Sequence, residues 1–333
     1  MRATRLLSFV LGLMFTIATP LFAVADSAPR KLTASVFKGG AVLPLWVGIH
    51  NGFFTARGID LQLIYTQNSR SQMSGLIDGT FETALTAIDN VIAYMEGQGG
   101  LPASTRPELV AVAGAGDGFL SLVTSGDIRS FEDLRGRKVA VDALSTGFAF
   151  VLQDMLARAG LKPGDYVLDS VGGTSERWQA LEAGTTAGAL LTPPFTQIAQ
   201  KKGFSVLAQA SETLGGYQGL VFTLRRAWAE ENAATVVDFI RAYRASLQWL
   251  FDPANRGAAI AILRANMPET SEALARSTYD VFVDPKRGLD RNGGIDMAGA
   301  RNVMEIRSRY TKISPPLADL GRYVDLSYIE RAK

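Results

Sequence analysis

Residues 131–164, FEDLRGRKVAVDALSTGFAFVLQDMLARAGLKPG, decide the fold class. Residues 137–142 form a short run in which valine alternates with other residues, a pattern that predicts a β-strand. After a polar loop, apolar residues recur at helical spacing over residues 147–159, and Gly160 ends the predicted helix. The stretch therefore predicts one strand–loop–helix unit of an α/β fold.

The loop that joins this strand to this helix is rich in Ser, Thr and Gly. A helix that begins in such a loop exposes backbone N–H groups at the positive end of its dipole, and these suit an anionic or strongly polar ligand atom. An ordinary unit in which Ser145 or Thr146 only caps the helix has the same pattern. Taken alone, residues 131–164 favour the capping interpretation.

Residues 1–25 have the features of a secretory signal peptide. Arg2 and Arg5 give a positive start, residues 6–17 are almost continuously apolar, and Ala23-Val24-Ala25 forms an A-x-A cleavage site. The apolar run is short for a transmembrane helix. We therefore expect the chain to be exported and residues 1–25 to be absent from the mature fold.

Composition excludes several classes of site. The 333-residue sequence has no cysteine, which excludes disulfides, zinc–thiolate and iron–sulfur sites, thiol catalysis and a lipid anchor on cysteine. Arg2 and Arg5 belong to the predicted signal peptide, which has no acidic residue, so 34 basic and 32 acidic residues become 32 of each. A chain without net charge has no electrostatic case for binding nucleic acid or an anionic membrane.

Strands and helices alternate along residues 32–224, which predicts doubly wound α/β layers with mostly parallel sheets. The pattern starts again after Asp127 and becomes mostly helical beyond Arg226. A mature chain of roughly 300 residues is long enough for two domains. We therefore expect an α/β fold with two lobes.

One α/β unit lies between predicted strands at 120–124 and 220–224, which we interpret as two strands that cross between the lobes. Residues 26–119 and 225–333 are assigned to the first lobe, and residues 120–224, including the crossing strands, to the second. The ligand cleft is expected between the lobes. Glycines flank both crossing strands, either as hinge positions or as residues of tight turns: Gly114, Gly116, Gly118, Gly215, Gly216 and Gly219.

Segments along most of the mature chain resemble, in their order and spacing, the nitrate/sulfonate/taurine-type (SsuA/THI5-like) family of periplasmic solute-binding proteins of ABC importers. Where the family usually has an acidic residue before the final Ala of one such segment, this sequence has Ala187-Gly188. The matching segments are Gly52-Phe53-Phe54, Gly58-Ile59-Asp60-Leu61, residues 76–82, residues 133–141, Arg177, Ala180-Leu181, Gly184, Pro193 and residues 324–328.

This resemblance implies a type II periplasmic-binding fold that closes on one small molecule and delivers it to an ABC permease and its ATPase. It implies a periplasmic monomer without cofactor or metal, and a small organic solute of sulfonate, carboxylate or aromatic type. A periplasmic sensing module for a membrane receptor has the same fold and cleft. A pyrimidine-related enzyme like THI5 is disfavoured, because its cysteine and histidine motifs are missing and the lone His50 has no catalytic partner.

Loops at the carboxyl ends of the predicted strands are expected to face the cleft. By analogy with the family, their N–H groups and hydroxyls hold the polar head of the ligand, and aromatic rings contact its body. The candidate ligand-binding residues are Lys38, Gly39, Trp46, Asp89, Asn90, Asp117, Phe119, Ser145, Thr146, Gly147, Phe148, Thr174, Ser175, Thr192 and Tyr217.

Several candidates have a structural alternative. Asp89 and Ser175 have the positions of helix caps, and Trp46 and Phe148 have the character of core aromatics. Arg177 is expected to face solvent or an acid on its own helix. The mixture of acidic residues with a single lysine in these loops does not fit a trap for a simple inorganic anion. It indicates a ligand with an aromatic or aliphatic body and one polar head, such as a carboxylate.

Overall fold

The computed structural model of the protein describes residues 28–102, 105–285, 287–311 and 319–333, so the predicted signal peptide lies outside the described residues. These residues form ten strands: β1 (Arg30–Phe37), β2 (Ile59–Thr66), β3 (Thr83–Ala87), β4 (Leu109–Gly114), β5 (Ser121–Thr124), β6 (Lys138–Val141), β7 (Val167–Ser170), β8 (Gly188–Leu191), β9 (Ser205–Gln209) and β10 (Leu220–Arg225).

Helices alternate with the strands and dominate the last third of the chain, as the sequence predicts. Within the described ranges the α-helices are α1 (Leu43–His50), α2 (Ser69–Asp78), α3 (Ile88–Met95), α4 (Gly147–Arg158), α5 (Thr174–Glu182), α6 (Phe195–Lys201), α7 (Ala210–Leu214), α8 (Arg226–Glu231), α9 (Ala233–Phe251), α10 (Arg256–Asn266), α11 (Glu272–Phe282), α12 (Met297–Tyr310) and α13 (Ser327–Arg331). None of the described helices is long and apolar enough to cross a membrane.

The strands form two sheets of five, one in each lobe. The first has the order β2-β1-β3-β10-β4, and the second has the order β7-β6-β8-β5-β9. Each is mostly parallel and contains one antiparallel strand: β10 runs against β3 and β4, and β5 runs against β8 and β9. The predicted α/β fold with two lobes is confirmed.

The position of β10 corrects one part of the predicted organisation. We expected residues 220–224 to belong to the second lobe as a crossing strand. Instead Leu220–Arg225 pairs with β3 and β4 in the middle of the first sheet. One face of β10 packs on α9 through Phe222. The centroid of the Phe222 ring lies 5.1 Å from that of Phe239 and 4.7 Å from that of Tyr243. Such aromatic packing binds β10 firmly into the first lobe.

The lobes meet at two short crossing segments, residues 115–120 and 215–219. The Gly116 carbonyl accepts the N–H groups of Gly219 at 3.1 Å and Leu220 at 3.0 Å. A Cβ atom on Gly219 would lie 2.3 Å from the carbonyl carbon and oxygen of Asp117. The two crossing segments are therefore in direct backbone contact, and Gly219 is required there because only a residue without a side chain permits this approach.

Helix α12 joins the two lobes beside the crossing segments. It packs on α3 of the first lobe and on α4 of the second. Arg309 forms an ion pair with the buried Asp154 of α4, and the Tyr310 ring stacks on that of Phe150 at 6.0 Å. Burial raises the pKa of Asp154, but hydrogen bonds from Arg158 and Arg309 outweigh it and leave that pKa below the usual value.

We expect Gly219→Ala to destabilise the protein, because the new methyl group overlaps the Asp117 backbone, which cannot move aside as a flexible side chain could. Overpacking of this kind costs about 1–3 kcal/mol. Thermal unfolding should show a melting temperature lowered by several degrees. The matched control is Gly257→Ala in α10, where no atom lies within 4 Å of the added Cβ and the melting temperature should not fall. Equal melting temperatures for both variants would contradict the close contact.

Candidate functional site

A pocket lies between the two lobes at the carboxyl ends of the parallel strands. The lobes touch across it, since the Gly40 N–H donates to the Pro193 carbonyl at 3.2 Å. The pocket volume is about 80 Å³, several times the ~10–15 Å³ that one water molecule needs. Its lining comes from both lobes and from one crossing segment: Phe37, Lys38, Gly39, Ala41, Ser69, Thr86, Ala87, Asn90, Gly118, Phe119, Asp142, Thr146, Gly147, Phe148, Gly173, Thr174, Arg177, Thr192, Pro193, Leu220 and Phe282.

Four phenylalanine rings give the pocket apolar walls: Phe37, Phe119, Phe148 and Phe282. The rings of Phe119 and Phe282 meet edge to face, with centroids 4.9 Å apart. Phe119 has a φ of 52°, an unusual conformation for a bulky residue, and the Asp117 carboxylate supports it by accepting the Phe119 N–H at 2.7 Å. These walls suit a ring or a short aliphatic body.

Two helices of the second lobe begin at the pocket. Thr146 is the N-cap of α4 and accepts the Ala149 N–H, so the capping alternative is correct for Thr146. Helix α5 begins at Thr174 with Gly173 as its N-cap, and no side chain caps it. The N–H groups of its first turn are therefore available to an acceptor, and the positive end of the helix dipole favours an anion there.

A buried guanidinium forms part of the pocket wall. Arg177 is 3% exposed, and it donates from Nε to the Leu190 carbonyl at 2.7 Å and from Nη1 to the Gly172 carbonyl at 2.9 Å. No acidic oxygen of the described residues forms an ion pair with this guanidinium within 4.0 Å, and Arg177 lines the pocket. Burial lowers the pKa of Arg177, and the negative charge of Asp142 partly offsets this.

The placement of Arg177 corrects the expectation that it faces solvent. Arg177 lies four residues before the buried Leu181, so the two side chains share one face of α5. The spacing between Arg177 and Leu181 is the sequence signal from which the burial of Arg177 could have been predicted. The burial is tolerated because two backbone carbonyls accept its N–H groups.

Other polar groups complete the lining. The Asp142 carboxylate lies 2.5 Å from the Thr146 hydroxyl and 3.4 Å from the Ser69 hydroxyl across the cleft. Asn90 donates to the Thr86 hydroxyl at 2.9 Å, which leaves its carbonyl oxygen as an acceptor. Lys38 is exposed at the mouth of the pocket.

The structure brings nine of the candidate residues to the pocket. They are Lys38, Gly39, Asn90, Phe119, Thr146, Gly147, Phe148, Thr174 and Thr192. Six candidates lie outside its lining: Trp46, Asp89, Asp117, Ser145, Ser175 and Tyr217.

The six residues outside the lining have other surroundings. Trp46 is in the core and donates from Nε1 to the Tyr65 hydroxyl at 3.0 Å. Asp117 and Tyr217 line a separate cavity at the crossing segments, where burial raises the pKa of both side chains. Ser145 is exposed, and Ser175 lies one residue inside α5, so Ser175 is not its cap.

Asp89 lies behind the pocket wall in a buried ion pair. Its Oδ2 is 2.6 Å from Nη1 of Arg307, with side chains 1% and 0% exposed. The Arg307 Nε donates to Gln98 at 2.9 Å, and its guanidinium lies 5.3 Å from the Phe150 ring centroid. Gly147 of the other lobe packs against Asp89, since a Cβ atom on Gly147 would lie 2.4 Å from the Asp89 Cβ. The cap of its helix is Ala87, so Asp89 joins α3, α12 and the start of α4.

Several lining residues were not among the candidates, for two different reasons. Phe37, Ser69 and Asp142 directly follow or flank strand ends, so the rule that predicted the other loops would also have found them. Phe282 ends α11, far along the chain, and only the packing of α11 on the crossing segment brings its ring to Phe119. No local pattern in the sequence indicates that contact.

Two α/β lobes with a pocket between them form the periplasmic-binding-protein fold. The nitrate-binding protein NrtA of Synechocystis superposes with a TM-score of 0.77, at 13% identity over 92% of this chain and 89% of NrtA. A ligand-binding component of an ABC-type import system from Staphylococcus aureus gives 0.74, at 14% identity over 91% and 99%. The sulphonate-binding protein SsuA of Escherichia coli gives 0.67, at 17% identity over 90% and 92%.

Residues 41–255 match the model of the NMT1/THI5-like family, and the chain belongs to this family. No curated protein matches the sequence in a direct comparison. The desulfurization enzyme DSZB has the same fold, with a TM-score of 0.60 at 15% identity over 90% of this chain and 98% of DSZB. The fold therefore occurs in binding proteins and in an enzyme, and the pocket must decide between these functions.

We expect Asp89→Leu to cost about 3–5 kcal/mol of unfolding free energy, because it leaves the Arg307 guanidinium buried without a partner. Arg307→Met should have a similar cost. The double variant should be more stable than the sum of the two single effects predicts, since no buried charge remains. Urea unfolding measures all three.

The control for these variants is Glu272→Gln, which removes an exposed ion pair with Arg276 and should cost less than about 1 kcal/mol. A loss of stability for Asp89→Leu no larger than that of the control would show that the buried pair does not hold α3 and α12 together.

Proposed function

We propose that the protein is the substrate-binding component of an ABC importer. It captures a small organic solute in the periplasm and delivers it to a membrane permease that works with its ATPase. Membership of the NMT1/THI5-like family supports this role, as do the solute-binding functions of the structural relatives. The signal-like sequence of residues 1–25 supports export.

The observation that carries the proposal is the unpaired Arg177 in the interlobe pocket. A buried charge without a direct ion-pair partner is costly, and a bound anion would lower that cost. The first turn of α5 offers free N–H groups next to the same wall. We therefore propose a ligand with one carboxylate or sulfonate head, and with an apolar body that contacts the phenylalanine rings.

Binding and lobe closure are one event in this proposal. The pocket is formed by residues 37–41, 69, 86–90, 220 and 282 of the first lobe and by residues 142–193 of the second, so a ligand contacts both only when the lobes are closed. A ligand that binds the closed state better shifts the population toward it. We propose that the described parts of residues 28–114 and 220–333 move as one lobe and residues 121–214 as the other. The permease then distinguishes the closed form.

The proposed solute-binding role requires no covalent chemistry on the ligand. The pocket combines an arginine, hydroxyls, an amide and aromatic rings, which are the groups that hold and orient a solute. The chain has no cysteine, and its single histidine, His50, ends α1 outside the pocket lining. No described group of three or more acidic or histidine side chains could hold a metal ion. These features support binding without turnover.

We expect benzoate or a small alkanesulfonate to raise the melting temperature of the mature protein, whereas the neutral benzamide or alkanesulfonamide of the same shape should not. A ligand at 100 times its Kd stabilises the folded state by about 2.7 kcal/mol. Arg177→Gln should weaken anion binding about tenfold or more, because it removes a charge-assisted hydrogen bond. Isothermal titration calorimetry measures the affinities.

The matched control is Arg137→Gln, since Arg137 pairs with Asp127 on the surface, outside the pocket lining. This variant should bind the anion with unchanged affinity. Equal binding of the anion and of its neutral analogue, or unchanged affinity in Arg177→Gln, would contradict the proposed ligand class. Turnover of a bound ligand would replace the binding role with an enzymatic one.

A further inference from the structure

The gap between the lobes continues beyond the interlobe pocket. A second cavity lies between α11 of the first lobe and α6, β5 and β9 of the second. Its volume is about 410 Å³, compared with about 80 Å³ for the pocket. Phe119 and Pro193 line both cavities. Because these two residues are exposed to both spaces, they form part of the wall between them.

The two sides of this wall differ in chemistry. On the pocket side, phenylalanine rings surround the place proposed for the ligand body. On the far side, amide and hydroxyl side chains form much of the lining, and such groups fit hydroxyl or ether groups of a ligand. They are Ser121, Gln197, Gln200, Gln209, Ser211 and Ser277.

The aromatic part of the wall is packed closely on both sides. The ring of Phe119 meets that of Phe282 edge to face, with centroids 4.9 Å apart. A Cβ atom on Gly116 would lie 2.9 Å from a ring carbon of Phe119, and one on Gly40 would lie 2.6 Å from a ring carbon of Phe282. The Asp117 carboxylate also accepts the Phe119 N–H at 2.7 Å. The position of the Phe119 ring is therefore fixed from several directions.

We propose that Phe119 determines specificity by limiting the length of the ligand. This inference rests on the proposed function, in which an anionic head lies at Arg177 and an apolar body contacts the rings. The body ends at the Phe119 ring, so the ligand is a carboxylate or sulfonate that carries one ring or a short chain. The φ of 52° at this bulky residue agrees with a functional position, because such conformations persist where the surroundings fix them.

The first test compares anions that share a head and differ by an added polar tail. Benzoate is compared with 4-(3-hydroxypropoxy)benzoate, and propanesulfonate with 3-(2-hydroxyethoxy)propanesulfonate, by isothermal titration calorimetry. The mature wild-type protein should bind the short member of each pair about tenfold or more tightly, since the ring excludes the tail. This comparison does not depend on the folding of a variant.

The second test removes the wall. Phe119→Ala joins the two cavities, so the long anions should gain about tenfold in affinity, while the short anions lose the ring contact and bind severalfold more weakly. Phe119→Gly is a second variant, because glycine adopts a φ of 52° without strain. Unfolding curves show whether each variant is folded.

The matched control is Phe37→Ala. Phe37 lines the pocket but not the second cavity, so its removal should weaken the short and the long anions alike and leave the preference for the short ones.

The results separate this inference from the proposed function. Equal affinity for short and long anions in the wild type, or an unchanged preference in the folded Phe119 variants, overturns the role of Phe119, while binding of the short anions still supports the proposed function. Absence of binding of both short anions by the wild type overturns the proposed ligand class and this inference with it.

Discussion

The backbone contact between residues 115–118 and Gly219 is the constraint on which the rest of the structure depends. Hydrogen bonds from Gly219 and Leu220 to the Gly116 carbonyl tie the two crossing segments together. Because this contact holds the two crossing segments together where the lobes meet, the carboxyl ends of their parallel strands face the same gap. The pocket exists at that place because polar strand ends and helix N-termini from two sheets meet there.

Charges in the protein interior fall into two groups. Asp89 is paired with Arg307, and Asp154 is paired with Arg158 and Arg309, so the chain neutralises the carboxylates that it buries between its helices. Arg177 and Asp142 line the pocket, and neither has an ion-pair partner within 4.0 Å among the described residues. Under the proposed function, a ligand group of opposite charge would supply the missing partner of Arg177.

The sequence allowed the fold and the lining loops to be predicted, because hydrophobic periodicity and strand-end loops are local properties. The sheet to which β10 belongs could not be predicted from the local sequence, because β10 pairs with β3 and β4, which lie more than 100 positions away along the chain. The position of Phe282 at the pocket could not be predicted either, because it depends on packing against Phe119, which is also distant in the sequence. Asp89 was expected to touch the ligand, but its partner Arg307 lies 218 positions away along the chain. Trp46 was also expected there, but it bonds to Tyr65 of the following strand, β2.

The start of α5 has a consequence for how specificity changes in evolution. The N–H groups at the start of this helix belong to the main chain, so side-chain substitutions other than to proline leave them in place. Under the proposed function, affinity for a negative group would therefore be inherited with the fold. Preference among such ligands would instead be set by single side chains of the pocket wall, such as Arg177. Under the proposed function, a descendant of this chain could acquire a new ligand through a few side-chain changes while its scaffold stays the same.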